Sequence, residues 1–440
     1  MTTGGLEALQ ARLARVETGG RIGRIARVSA SSLTIEGLSG ARLGDRIDIM
    51  GASGVLNAEI VGMEGDKALA LPDGRPAGIA PGDRVRHCGP AVLAPDDSWI
   101  GRIIDPDGQP LDGRPLMQGP NLRPYAGPPP TAATRRALGD RMETGLAAFN
   151  TFLPLVQGQR MGLFAGSGVG KSTLLGLLAK QTKADVVVIG LIGERGRELR
   201  QFTESVLGKE GLEKAVIVTA TSDRPALSRR RCAQACLTVA EHFRDNGRHV
   251  LLLADSITRF AEAHRDVALA AGETAGPSGY PPSMGQAVME LCERAGPGAP
   301  GQGDISAIFT VLAAASDMEG PVADTLRGTL DGHVVLDRVI AERGRYPAID
   351  LLRSVSRSLP EAASDAENGL LARARRLLGV YERAELMIQA GLYVQGADAE
   401  IDEAILRRPA IEAFLGNTTV QSIAESYAAL AKALDGEDQE

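Results

Sequence analysis

Hydrophobic positions along this chain change their period from segment to segment, and each change marks a different element. Leu6, Leu9, Leu13 and Val16 recur at helical spacing with Glu7, Arg12, Arg15 and Glu17 between them, which predicts an amphipathic helix over 3–18 ended by Gly19-Gly20. Such a helix either packs on its own chain or is offered to a partner, and we favour a partner. From Arg21 to about Cys88 the pattern shortens to β-rich runs, Ile22–Val28, Ser32–Ile35, Arg46–Met50, Val55–Val61 and Lys67–Leu71, separated by glycine turns. These predict a small β-barrel. A proline- and glycine-rich stretch, from Asp105-Pro106-Asp107-Gly108 through Gly127-Pro128-Pro129-Pro130, follows. Beyond it, continuous apolar runs at Val186–Ile192, Ala215–Thr219, His249–Ala254 and Ile305–Leu312 alternate with helical patterns, as in a parallel sheet buried on both faces. After about Leu359 the chain is rich in Ala, Leu, Arg and Glu with almost no strand signal. The expected organisation is a terminal helix (1–20), a barrel (21–92), an α/β doubly wound core (93–358) and a helical domain (359–440).

Composition fits a soluble globular chain of several domains. Its 440 residues exceed one ordinary core, hydrophobic residues make up 44% and charged residues 23%, and mean hydropathy is near zero. No apolar run reaches membrane-spanning length, and Met1-Thr2-Thr3-Gly4-Gly5 does not start a signal peptide, so a cytoplasmic location is expected. A net charge of −7 and an aromatic content of 3% speak against a nucleic-acid binder, which needs basic grooves and stacking faces. Of four scattered cysteines, Cys232 and Cys236 stand one helical turn apart among Ala233, Ala235 and Leu237, which reads as a packed helix face rather than a metal pair.

The candidate chemistry begins at Gly166-Ser167-Gly168-Val169-Gly170-Lys171-Ser172-Thr173, between the apolar run Met161–Phe164 and the helix-forming Leu174–Lys180. Glycines let backbone N–H groups turn inward around an anion, and the helix N-terminus adds partial positive charge. Lys171 is then placed on the β and γ phosphates of a nucleoside triphosphate, with the Ser172 hydroxyl where Mg²⁺ sits. The strand ending at Asp255 supplies a carboxylate at the sheet edge where ligands bind, suited to hold that Mg²⁺ through its water shell. Glu194 emerges from the Val186–Ile192 strand at the same edge, placed to polarise an attacking water, whereas Glu198, one turn on, is expected to pair with Arg195 or Arg197.

These three segments, with Gly279-Tyr280-Pro281-Pro282-Ser283, Leu330–Leu336, Tyr346-Pro347-Ala348-Ile349-Asp350, Ser354–Arg357 and Gly391–Asp398, resemble the rotary ATP synthase superfamily and, more closely, its type III protein-export branch. Nothing local marks Arg357 or Tyr346; by themselves they read as a surface salt bridge and a core tyrosine. The resemblance implies a RecA-like P-loop ATPase core using ATP and Mg²⁺, with Glu194 as catalytic carboxylate, Asp255 as the Walker B residue, Arg357 as an arginine finger given to a neighbouring subunit, and Tyr346 stacking on adenine. It further implies a homohexameric ring on the cytoplasmic face of the inner membrane, a regulator on the N-terminal helix, a coiled-coil stalk in the channel, and an export gate, chaperones and exported flagellar proteins as partners. A flagellar member is favoured over the injectisome member, and an RNA translocase sharing the barrel and core is disfavoured by the acidic charge. The loop Gly272–Ser278 and the segment Met284–Ala287 depart from the branch's usual pattern without touching the catalytic motifs.

Overall fold

The computed structural model describes residues 21–276, 278–312, 320–419 and 421–436, so the amphipathic helix expected over 3–18 lies outside the described residues. Strands Ile22–Val28, Leu33–Glu36, Asp45–Gly51, Gly54–Glu64, Lys67–Pro72 and Arg84–Pro90 close into a barrel. Leu33, Ile35, Ile47, Ile49 and Ile60 fill its interior. The closing strand, Arg84–Pro90, was not among the expected runs because Val85 is its one buried residue, set among Arg84, Arg86 and His87.

The central nine-stranded sheet runs Ile349–Ser356, Gly332–Leu336, Arg160–Ala165, Asp304–Leu312, Val250–Asp255, Val186–Ile192, Ala215–Ala220 and Arg102–Ile104, with a short Gly296–Pro297 strand beside Asp304–Leu312. Neighbours in that row pair in parallel, except that Ile349–Ser356 is antiparallel to Gly332–Leu336. Every residue of Val186–Ile192 is buried. Its alternate residues feed two apolar layers, Val187 and Ile189 on one face, Val186 and Val188 on the other, which is why the run is unbroken rather than alternating. Cys232 and Cys236 are buried in the second layer, on the helix Ala226–Asp245, as their small neighbours led us to expect.

The chain ends in helices Asp365–Gln389, Ala399–Leu415 and Ile423–Asp435. Ser364 with Glu367 and Ser422 with Glu425 form capping boxes that fix two of the starts, and Asp398 caps the third. Asn150 of the core donates to Ser426 Oγ at 3.0 Å and to the Gln421 carbonyl at 2.9 Å, tying the last helix to the nucleotide-binding layer.

Candidate active site

The glycine loop leaves the Arg160–Ala165 strand and turns into the helix Lys171–Gln181. Gly168 and Gly170 take φ values of 79° and 87°, left-handed backbone that a side chain would strain, so the turn itself requires glycine at both places. Around the loop lies a cavity of about 980 Å³. One wall is 164–173; the other carries Glu194, Arg195, Glu198, Ser222, Arg229, Thr258 and Arg259.

Lys171 donates through Nζ to Asp255 Oδ1 and lies 3.6 Å from Glu194 Oε1. Asp255 ends the Val250–Asp255 strand, is 3% exposed, and also accepts from Thr310 Oγ1 at 2.7 Å. Burial pushes the Glu194 carboxyl up to about 7, reinforced by a hydrogen bond that the protonated Glu194 donates to Glu198 and by the nearby Asp255 charge, and opposed by Lys171. Glu198 therefore does more than pair with Arg195, from which it stands 3.7 Å. A carboxyl balanced near neutrality beside a phosphate loop has the protonation behaviour a water-activating base needs. For Mg²⁺, the donors fit: an exposed Ser172 hydroxyl on the helix's first turn and the Asp255 carboxylate are hard oxygens, and no cluster of three or more His, Cys, Asp or Glu able to hold a metal occurs among the described residues.

Tyr346 and Arg357 sit at opposite ends of one strand. Ile349 pairs with Leu336, and Leu336 with Ala165 just before the glycine loop, so Tyr346 lies at the nucleotide edge. Its ring approaches Gly170: a Cβ there would meet Tyr346 Cδ1 at 3.1 Å. Tyr346 is 50% exposed, an open ring face rather than a core tyrosine. Ser356 pairs with Gly332, four residues back along that partner, which places Arg357 roughly 13 Å towards the other edge of the sheet. Arg357 is exposed, does not line the cavity, and donates through Nη2 to the Arg327 carbonyl at 3.1 Å.

Thr310, Ser222, Thr258, Arg229 and Arg259 were not among the expected site residues. Thr310 had a signal: it is a hydroxyl near the C-terminal end of a strand whose flanking residues, Ala307–Phe309 and Val311–Leu312, are apolar, level with Asp255. The arginines lie on helices rather than at a strand end or in a glycine turn, so no local pattern marks them.

Known proteins fit this geometry. The model of the ATP synthase alpha/beta family, nucleotide-binding domain, matches residues 145–356, and that of the T3SS EscN ATPase C-terminal domain matches 363–432. The flagellum-specific ATP synthase of Caulobacter vibrioides is 44% identical over 98% of this chain and all of its own length. The chain belongs to the type III protein-export ATPases of the ATP synthase alpha/beta family. Among these export ATPases, the type 3 secretion system ATPase of Xanthomonas euvesicatoria is 41% identical over 94% of this chain and 93% of its own. The solved structure of the assembled ATPase EscN from enteropathogenic E. coli superposes with a TM-score of 0.86 at 37% identity, covering 94% of this chain and all of that one. A second, of EscN in complex with its central stalk EscO, gives 0.85. An export ATPase hydrolyses ATP, and the resemblance first drawn from short motifs extends over the whole architecture of barrel, α/β core and helical end.

Proposed function

We propose that this chain hydrolyses Mg-ATP as a homohexameric ring at the cytoplasmic face of the membrane and so energises export of flagellar proteins. The observation that carries the ring is the antiparallel strand Ile349–Ser356, with Tyr346 beside Gly170 of the glycine loop at one end and Arg357 away from that loop at the other. An arginine that cannot reach its own phosphate loop is available to a neighbour's.

In this reading the N–H groups of 166–171 cradle the phosphates, Lys171 leaves Asp255 for the β and γ phosphates, and Ser172 and Asp255 hold Mg²⁺. The metal, when bound, neutralises phosphate charge. Glu194 accepts a proton from the attacking water, Arg357 of the next subunit stabilises charge on the transferred phosphoryl group, and Tyr346 stacks on adenine. No described helix is long and apolar enough to cross a membrane, which fits peripheral attachment. Leu386, Leu392, Val394 and Leu406, each at least 67% exposed on the first two C-terminal helices and the turn between them, suit a stalk partner like that of EscN.

The test is Arg357→Ala: nucleotide affinity is expected to persist while turnover falls about 10³-fold or more. A normal ATPase rate in that variant would overturn the trans arrangement. The apparatus served is decided by deleting the gene and scoring flagella, motility and filament-protein secretion.

A further inference from the structure

We infer that Arg229 is a ligand for the terminal phosphate of the bound nucleotide, held in reserve by Asp266. This rests on the reading of the glycine-loop cavity as a nucleoside triphosphate site.

Arg229 lies on the first turn of the helix Ala226–Asp245, and its side chain lines the cavity opposite the glycine loop. Its stem packs where it bears on the reacting end: Cδ lies 3.5 Å from the position a Cβ on Gly193 would take. Gly193 precedes Glu194, whose carboxylate lies 3.6 Å from Lys171 Nζ, so the arginine enters beside the group that grips the last phosphates.

Its present partners leave it under-satisfied. The side chain is 18% exposed, Nε is buried with no hydrogen-bond partner, and among the described residues its one ion pair is a 3.4 Å contact from Nη2 to Asp266, itself 40% exposed. A guanidinium carries five donors in a planar fork, and burying it with one long contact is unfavourable unless an anion completes it. A phosphate offers the paired oxygens that fork matches. The other arginines of that wall differ from it: Arg259 holds Glu262 at a shorter 2.9 Å, and the Arg195 side chain is 78% exposed, so neither combines burial with so long a single contact. On nucleotide binding, Arg229 exchanges the Asp266 carboxylate for the terminal phosphate.

Equilibrium binding of a non-hydrolysable ATP analogue and of ADP to the full chain tests this, because the exchange gives the two partners opposite signs. Arg229→Ala should weaken the analogue about 10- to 100-fold and leave ADP nearly unchanged. Asp266→Asn, which frees the guanidinium, should tighten the analogue. A purely structural ion pair would make both variants move the same way, and that result, or an equal loss for ADP and analogue in Arg229→Ala, overturns the assignment. Should Arg229→Ala fail to fold, Asp266→Asn decides alone, with unchanged or weaker analogue binding counting against the proposal. Lys171→Ala serves as the separate control. If it still binds both nucleotides, the cavity reading fails irrespective of Arg229.

Discussion

Residues 229–231 are consecutive arginines on one helix turn, and they end in opposite surroundings. Arg231 is 1% exposed and has both terminal nitrogens engaged with the barrel and the segment that follows it: Nη2 meets Glu59 at 2.8 Å, and Nη1 meets Asp107 at 3.0 Å and Asp73 at 3.3 Å. Arg230 adds a 2.8 Å bond to the other oxygen of Glu59, and Arg46 of the barrel closes the ring on Asp73 and Asp107. Burial opposes the Arg231 charge, yet these carboxylates hold its pKa above the ordinary value. A small apolar seam of Leu71, Leu227 and Val267 runs alongside. Across the helix, Arg229 and Glu194 face the cavity with loose partners and, for Glu194, a carboxyl near its neutral point. Satisfied charges fix a joint; unsatisfied ones wait for a substrate.

The contrast is broken most severely from the cavity side. Glu194→Gln keeps the shape and removes the base, so turnover should fall about 10²- to 10⁴-fold with nucleotide affinity retained. Phosphate release and analogue binding measured on one preparation check this, and a near-normal rate would return Glu194 to the status of a wall residue. Stability should move the other way. A carboxyl whose pKa is raised from 4.5 to about 7 supports the fold while protonated, and that support is lost as pH rises through about 7. The glutamine variant, neutral at every pH, should therefore be no less stable than the parent at pH 8.

From the joint side, Arg231→Ala leaves Glu59, Asp73 and Asp107 short of their shared cation in a buried setting. We expect a loss of about 3–5 kcal/mol by chemical denaturation, with the affinity for nucleotide little changed. If the variant instead loses nucleotide affinity while keeping its stability, the division of labour along the helix is wrong.

How much of this was visible beforehand depended on whether the chemistry was local. The glycine loop, Glu194 and Asp255 were legible because each sits where a strand or a turn dictates the residue type: two glycines at positive φ, and carboxylates closing apolar runs. The closing barrel strand was not, since one buried valine carries too little apolar signal. Arg357 and Tyr346 were silent in isolation. The roles proposed for them depend on the strand between them running antiparallel to its neighbour, a property of long-range pairing. Arg229 and Arg231 share a residue type and a helix turn; only the packing of a barrel on one side and a cavity on the other separates them.

The finest adjustment of the cavity is the proton on Glu194. After burial, the largest cause holding its pKa up is the hydrogen bond it donates to Glu198, with the Asp255 charge next. The carboxylate form is the one able to take a proton from water, so turnover should rise with pH through about 7 and fall on the acid side. Glu198→Gln removes a like charge and offers an amide N–H to the carboxylate, and both changes favour the ionised form. The acid limb of kcat at saturating ATP should therefore shift to lower pH, and the ratio of rates at pH 6 and pH 8 should rise towards one. An unmoved limb would mean that Glu198 only pairs with Arg195, and that burial and Asp255 alone hold Glu194 near neutrality.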